Sequence, residues 1–285
     1  MIYPNTFKQL YIGPSGNPDE ADAHFSLCEL IDWCMERGWD TMELAFVHRV
    51  FLNTKEAAQV AAHIRERQFP LSCHGSYYIN LASLEESKID ASRQRIIQAA
   101  ERIAQAGGHS VVYHSAFMHQ RASAEVTPIV IEQTHKIQNE LVERDVKVWL
   151  RPELTGKPSQ HGDTAELIKL ANACEMVLPC IDWAHLYART QGEINSYEQW
   201  CELLDKLARS IKNKNVLQRM HMHISGIEYG GKGEKRHLPL QECGMRYKEL
   251  MQAMKHAAVT GTLAVEAPRG SLAEDIDRLR DAWGE

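Results

Sequence analysis

The sequence contains no uninterrupted apolar run of the length that a membrane-spanning helix needs. Its first five residues also lack the basic start and the apolar stretch of a secretory signal peptide, so we expect neither insertion in a membrane nor export. The seven cysteines include no Cys-x-x-Cys pair, the spacing of many zinc and redox sites. We therefore expect reduced, mostly buried cysteines in a cytoplasmic protein.

The chain also lacks an excess of positive charge. Its 32 Lys and Arg residues stand against 38 Asp and Glu residues, which gives a net charge of −6. This balance argues against a protein that coats nucleic acid, but it allows an enzyme whose positive potential comes from bound metal ions. No linker, low-complexity tract, charge block or internal repeat marks a second domain. With 44% apolar residues, the chain of 285 residues is predicted to form a single domain over residues 1–285.

Short apolar segments alternate with longer amphipathic segments along the whole chain. The short segments predict eight strands, at Leu10–Ile12, Thr41–Phe46, Leu71–His74, Ser110–His114, Lys147–Pro152, Val177–Asp182, Arg219–Ile224 and Thr262–Glu266. The amphipathic segments predict eight helices, at Asp22–Arg37, Thr54–Arg67, Glu86–Ala106, Ala124–Glu143, Thr164–Cys174, Ser196–Ile211, Leu240–His256 and Leu272–Trp283. Strict alternation requires parallel strands with crossover helices, and eight such repeats favour an α/β fold of the closed (β/α)₈ TIM barrel type over a doubly wound sheet.

Most of the predicted strands end at, or just before, a residue that can bind a metal ion. These residues are His74, His114, Glu153, Asp182, His185, His223 and Glu266. Taken singly, each has a structural explanation, such as a salt bridge to Arg151 for Glu153 or a helix cap for Asp182. In a barrel the carboxyl ends of all the strands meet on one face, so these side chains are expected to share one site.

The number and the type of these residues predict more than one metal ion. His221 and His223 lie two apart on one strand and face the same side, so only one of them needs to be a ligand. Glu266 interrupts an apolar run, and its burial would require a cation or a metal ion. Imidazole together with carboxylate suits Zn²⁺, with Mn²⁺ as the alternative. Because one catalytic zinc ion takes three protein ligands, this set predicts two or three ions, the usual device for in-line attack on a phosphodiester.

Seven segments resemble, in order, the motifs of the endonuclease IV family. They are residues 74–82, 113–115, 153–157, 181–185, 222–225, 236–237 and 265–268. The resemblance extends from about residue 10 to residue 270 and is most specific at His74, at Asp182-x-x-His185 and at Glu266. That family comprises (β/α)₈-barrel apurinic/apyrimidinic endonucleases with a trinuclear zinc site. The resemblance therefore implies hydrolysis of the phosphodiester 5′ to an abasic site in double-stranded DNA.

The resemblance also implies a role for each motif residue. The implied ligands are His74, His114 and Glu153 for the first zinc ion, Glu153, Asp182, His223 and Glu266 for the second, and His185 and His237 for the third. Glu153 would thus bridge two ions and would be the catalytic carboxylate. Tyr77 takes the place of a residue that wedges into DNA at the lesion, and Arg49 would contact a phosphate. The implied partner is duplex DNA with an abasic site, and we expect the protein to act as a monomer.

One position departs from the family pattern. The family has Asp two residues before the last histidine, and this chain has Lys235 there. Glu234 is one step away and is expected to project differently in a regular strand. The third ion is therefore expected to have fewer ligands, to use Glu234 or to be absent. In addition, Gly75-Ser76 stands where the family usually has Ala-Pro.

Two other functions are consistent with the sequence. A sugar isomerase or epimerase of the xylose isomerase-like group would share the barrel but would need only one or two metal ions. The additional histidines favour the nuclease over this alternative, whereas Lys235 keeps the epimerase open as a candidate. A non-catalytic module that binds metal or nucleic acid would depend on the local basic cluster of Lys232, Lys235 and Arg236.

Overall fold

The structure, a computed structural model, describes residues 6–284. The N-terminal segment considered above for a signal peptide lies outside the described residues. Contacts along the chain divide the rest into two units. The first unit contains residues 43–154 and 159–179, and the second contains residues 6–42, residues 155–158 and the chain from residue 180 onward.

The first unit is built on a four-stranded parallel sheet. Its strands, in spatial order, are β2 (Met42–Ala45), β3 (Leu71–His74), β4 (Ser110–Tyr113) and β6 (Trp149–Pro152). The spatial order follows the chain, so each connection is a crossover that contains a helix. The helices of this unit are α2 (Thr54–Arg67), α3 (Glu86–Gln105), α4 (Ser123–Glu143) and α5 (Thr164–Ala173). A short antiparallel pair joins β5 (Ala116–Phe117) to β7 (Gln160–His161).

The second unit contains a second four-stranded parallel sheet and a hairpin. The sheet strands, in spatial order, are β1 (Leu10–Pro14), β12 (Gly261–Val265), β9 (Met220–Ile224) and β8 (Cys180–Asp182). The hairpin consists of β10 (Gly226–Gly230) and β11 (Gly233–Leu238). The helices are α1 (Leu27–Glu36), α6 (Trp183–Arg189), α7 (Tyr197–Ser210), α8 (Tyr247–His256) and α9 (Leu272–Gly284), with 3₁₀ turns at Val216–Arg219 and Leu240–Glu242.

Capping side chains explain where several helices begin. The Asn53 side chain accepts a hydrogen bond from the backbone N–H of Glu56 before α2, and the Glu56 side chain accepts one from the Asn53 N–H. Asp163 and Glu166 make the same reciprocal pair at the start of α5. Every residue of β3, β4, β6, β8, β9 and β12 is buried, as expected for parallel strands that are covered on both faces.

The predicted elements all occur within residues 6–284, with three notable differences. Helix α1 begins at Leu27 rather than Asp22, because Ser26 and Glu29 form its capping box. The predicted helix Leu240–His256 is divided into a 3₁₀ turn and α8. The short helix α6 and the hairpin β10–β11 were not predicted, and both follow strands that carry candidate ligands.

Two expectations from composition can be compared with the described residues. No helix within residues 6–284 is both long and apolar enough to cross a membrane. The seven cysteines, all within this range, form no disulfide bond with one another. Four of them are buried and three are half-buried.

Asp275 of α9 holds the chain segment that follows β11. Its two carboxylate oxygens accept hydrogen bonds from the backbone N–H of Leu240, at 3.2 and 3.0 Å. Asp275 is only 1% exposed, and this burial raises its pKa from 3.8 to about 6, although the Leu240 N–H and Arg278 act in the opposite direction. The ionised carboxylate is therefore destabilised in the folded protein.

We expect Asp275→Asn to remove a pH-dependent loss of stability. The folded protein keeps this proton up to about pH 6 and the unfolded chain loses it near pH 4, so stability falls across that interval and stays lower above it. The amide oxygen of the variant side chain can still accept a hydrogen bond from the Leu240 N–H. As the pH rises from 4 to 7, the free energy of unfolding of the variant should increase relative to that of the wild type by on the order of 1–2 kcal/mol. Urea unfolding at both pH values measures this gain, with Asp277→Asn on the exposed side of α9 as the control. An identical pH dependence of wild type and Asp275→Asn would contradict the expectation.

Candidate metal centre

Three predicted ligands of the first unit lie together at the carboxyl ends of neighbouring strands. His74 ends β3, His114 follows β4 and Glu153 follows β6. The strand register explains their proximity, since His74 pairs with Val112 and the Glu153 N–H donates to the carbonyl of Tyr113 at 3.0 Å. Nε2 of His74 and Nε2 of His114 both lie 3.0 Å from Oε2 of Glu153. One carboxylate oxygen thus lies between two imidazole nitrogens.

The chemistry of this cluster, His74, His114 and Glu153, fits a zinc ion. Nδ1 of His74 donates to the carbonyl of Gly75 at 2.9 Å, which leaves the Nε2 lone pair on the side of Glu153. Two ligand atoms of one tetrahedral zinc ion lie about 3.4 Å apart, close to the separations found here. Glu153 is 1% exposed, and a buried carboxylate requires compensating positive charge.

Three predicted ligands of the second unit form another group. Asp182 of β8 pairs in register with His223 of β9, and the Glu266 N–H, just after β12, donates to the carbonyl of Ile224 at 2.9 Å. One ligand atom from each of Asp182, His223 and Glu266 lies within 4.8 Å of the others. Nδ1 of His223 is 3.4 Å from Oε1 of Glu266, which also accepts a hydrogen bond from Ser15 Oγ at 3.4 Å. Asp182 and His223 are fully buried, so this donor set also suits a cation.

A further group in the second unit surrounds His185 at the start of α6. Asp182 caps this helix, because its Oδ1 accepts from the His185 N–H at 2.7 Å and its Oδ2 lies 3.2 Å from His185 Nδ1. Nε2 of His185 is 3.2 Å from Oε2 of Glu234. The rings of His185 and His237 are 5.9 Å apart, and Nδ1 of His237 donates to the carbonyl of Glu266 at 2.8 Å. The two predicted histidines of the third ion are thus neighbours.

Glu234, which a regular strand would direct differently from an Asp two residues before His237, lies beside His185. A β-bulge in the hairpin, centred on Lys235, turns Glu234 towards His185. Of the three alternatives left open for the third ion, this placement favours the use of Glu234, although the bulge that produces it cannot be read from the spacing of residues alone.

His221 and His223 lie on the same face of β9, as predicted, but at different levels. His223 is beside Asp182, whereas His221 is beside Cys180 and its Nδ1 is 3.1 Å from Thr262 Oγ1. Ligand atoms of Cys180, His221 and His223 also lie within 4.8 Å of one another, but Asp182 and Glu266 surround only His223 with carboxylates. This placement favours His223 as the ligand, in agreement with the sequence.

The predicted DNA-contacting residues lie in the first unit. Tyr77 is 62% exposed and its ring is 6.4 Å from that of His74. Arg49 lines a cavity of about 290 Å³ together with Ser76 and Arg95. Sequence reasoning missed Arg95, and it also missed Tyr78, which is 64% exposed and has Arg95 5.8 Å from its ring centroid. The adjacent pair Tyr77-Tyr78 was the available signal for a surface with exposed aromatic rings.

The chain belongs to the xylose isomerase-like TIM barrel family, whose family model matches residues 31–282. The (β/α)₈ barrel predicted from the alternation of strands and helices is confirmed by this membership. An uncharacterised protein of Methanocaldococcus jannaschii is 34% identical over 259 residues, which cover 91% of this chain and 92% of that protein. An apurinic-apyrimidinic endonuclease of Caenorhabditis elegans is 24% identical over 222 residues, which cover 75% of this chain and 54% of the endonuclease.

Two solved structures show how broadly this fold is used. Endonuclease IV from Thermus thermophilus superposes with a TM-score of 0.70 at 18% identity and covers 97% of this chain and 98% of its own. A D-tagatose 3-epimerase-like protein superposes with the same TM-score of 0.70 at 17% identity and covers 96% of both chains. At these identities the likeness establishes the fold alone, and the function must be argued from the site.

Proposed function

We propose that this protein is a zinc-dependent endonuclease that hydrolyses the phosphodiester 5′ to an abasic site in DNA. In this proposal the chain forms one domain and acts as a monomer. Glu153, with His74 and His114, would hold the first ion and would bridge it to a second ion held by Asp182, His223 and Glu266. His185 and His237 would serve the third ion.

The observation that carries the proposal is the number of imidazole and carboxylate donors. His74, His114 and Glu153 already supply the three protein ligands that one catalytic zinc ion requires. Asp182, His223 and Glu266 supply three more, and His185 and His237 are additional to both sets. This surplus supports a cluster of ions, which is the arrangement suited to phosphodiester hydrolysis.

The protein groups prepare the site before any ion binds. Hydrogen bonds through Nδ1 fix the rings of His74 and His237, so that each presents Nε2 as a ligand. The Asp182 side chain accepts a hydrogen bond from the His185 N–H, and this contact holds the backbone that carries the His185 ring. When bound, zinc ions would activate a water molecule and stabilise the charge that develops on the phosphate. Glu153 would keep two ions close to each other through its single carboxylate.

A DNA-contacting surface is supported by the exposed aromatic and basic residues of the first unit. Tyr77 and Tyr78 are 62% and 64% exposed, although tyrosine is on average a residue of intermediate burial. In the proposal Tyr77 enters the duplex at the lesion, where a missing base leaves a gap in the stack. Arg49 and Arg95 would contact backbone phosphates from the cavity that they share.

A sugar epimerase is the second candidate. It is favoured by the likeness to the D-tagatose 3-epimerase-like structure, which equals the likeness to endonuclease IV in TM-score. Asp182, His223 and Glu266 alone would be sufficient for the single ion of such an enzyme. The cluster around His114 and the exposed Tyr77 would then have no role in catalysis, which is why the nuclease is the preferred proposal.

A side-by-side assay distinguishes the two candidates. The purified protein is incubated with a labelled duplex that carries one abasic site and, separately, with a ketohexose, both with added zinc or manganese. We expect a single nick that leaves a 3′-hydroxyl and a 5′-deoxyribose phosphate, and an unchanged sugar. An intact abasic duplex together with epimerised ketohexose would overturn the proposal.

A further inference from the structure

Glu234 has a position that the residue spacing does not predict. It lies three residues before His237, and side chains three apart in a regular strand point to opposite faces. Yet Oε2 of Glu234 is 3.2 Å from Nε2 of His185, and the ring of His185 is 5.9 Å from that of His237. Glu234, His185 and His237 therefore form one group, on the side of the hairpin that faces α6.

A β-bulge in the β10–β11 hairpin explains this placement. Glu228 pairs with Arg236, and the next pairing passes over Lys235, which is the extra residue of β11. Lys235 and Arg236 consequently face the same side, where both bind Glu228, with Lys235 Nζ at 3.0 Å and Arg236 Nε at 2.8 Å. With both cationic side chains directed to Glu228, Glu234 and His237 share the opposite side.

Two glycines provide the space that Glu234 occupies. A Cβ atom on Gly156 would lie 2.2 Å from Oε2 of Glu234, so any other residue there would displace the carboxylate. Gly233 has a φ of +91°, and a Cβ on it would lie 2.1 Å from the carbonyl of Gly156. Lys157 binds the other carboxylate oxygen of Glu234 at 3.1 Å. Glu234 is thus held with Oε1 at Lys157 and Oε2 at His185.

We propose that Glu234 is the carboxylate ligand of a metal ion that is also bound by His185 and His237. The inference rests on the proposed function for the presence of a third ion, and it identifies which residue of this chain completes the ligand set. His185 and His237 each use Nδ1 in a contact with protein oxygen, so each presents Nε2 to the ion. The 3.2 Å between His185 Nε2 and Glu234 Oε2 is close to the separation of about 3.4 Å for two ligands of one zinc ion. The family has an Asp two residues before the last histidine. In this chain Glu234 lies three residues before His237, and the bulge at Lys235 directs its longer side chain to the same site.

Zinc binding by Glu234→Gln tests this assignment directly. The metal-free full-length protein is titrated with zinc by calorimetry, and bound zinc is counted by elemental analysis after buffer exchange. We expect the variant to lose one zinc equivalent or to bind it at least about 100-fold more weakly. His237→Ala should lose the same equivalent, and the double variant should lose no more than either single variant. Glu228→Gln, which removes the exposed carboxylate that Lys235 and Arg236 share, is the matched control and should bind zinc as the wild type does.

A second change separates the ligand role from a fold defect. Deleting Lys235 in the Glu234→Asp background removes the bulge and places an Asp two residues before His237, so it should retain the zinc equivalent that Glu234→Gln loses. Unchanged zinc number and affinity in Glu234→Gln would overturn the assignment. So would a loss of zinc in Glu228→Gln equal to that in Glu234→Gln. If Glu234 proves necessary for a zinc equivalent but the wild type does not nick abasic DNA, the assignment stands and the proposed function fails.

Discussion

Glu153→Gln is expected to lower kcat for incision of an abasic duplex by about 10³-fold, which corresponds to about 4 kcal/mol of lost transition-state stabilisation. The amide has nearly the same shape as the carboxylate, so the fold should persist. It lacks the negative charge, however, and its NH₂ group cannot bind an ion. Because one Glu153 oxygen lies 3.0 Å from both His74 and His114, the loss affects the whole cluster of the first unit. Initial rates on a labelled duplex, with circular dichroism and a metal count, measure the effect.

Glu166→Gln is the matched control for this variant. Glu166 is also a buried carboxylate of the first unit, 2% exposed, but it serves the capping box of α5 by accepting hydrogen bonds from Gly162 and Asp163. Gln can fill that role, so this variant should cleave as the wild type does. If Glu153→Gln nicks the abasic duplex at the wild-type rate, the role assigned to Glu153 is wrong.

Asp182→Asn is expected to lower incision by a similar factor of about 10³, and to reduce the number of bound zinc ions. Asn is as good an N-cap as Asp, so α6 should keep its start. The NH₂ group, however, would face His185 Nδ1 in place of the carboxylate oxygen that is now 3.2 Å away. The proton of His185 would then move to Nε2, and the ring would lose its lone pair towards Glu234. Asp182→Asn should therefore weaken metal binding at both residue 182 and His185.

Asp163→Asn provides the corresponding control, measured by the same rate assay and metal count. Asp163 caps α5 by accepting from the Glu166 N–H at 2.8 Å, as Asp182 caps α6, but it belongs to no cluster of candidate ligands in the described residues. It should therefore change neither incision nor zinc content. Loss of activity and of zinc to the same extent in both variants would contradict the ligand role assigned to Asp182.

The sequence could identify most of the candidate ligands because the ends of buried strands can be recognised in a parallel α/β protein. Buried strands such as β4 and β12 are short, mostly apolar runs, and a His or Glu that directly follows such a run stands out. The register of β8 with β9 then accounts for the choice of His223 over His221, since only His223 is level with Asp182. Periodicity alone placed both histidines on one face.

The parts that the sequence did not predict depend on irregular backbone. Helix α6 begins directly after Asp182, and its seven residues are too few for a helical periodicity to be recognised. The hairpin β10–β11 carries half-buried residues with no clear alternation, and its bulge at Lys235 reverses the side on which Glu234 lies. Arg95 lies 17 residues after Tyr78, on α3, and its position beside the Tyr78 ring follows from the packing of that helix.

Zinc-dependent incision of abasic DNA is tested most directly by two measurements. The bound metal is counted, and incision of an abasic duplex is measured before chelation, after chelation and after zinc is returned. We expect about three zinc ions per chain, complete loss of nicking in chelator, and recovery only after more than one zinc equivalent has been restored. Incision that persists in chelator, or a single manganese ion per chain without any nicking, would contradict this expectation.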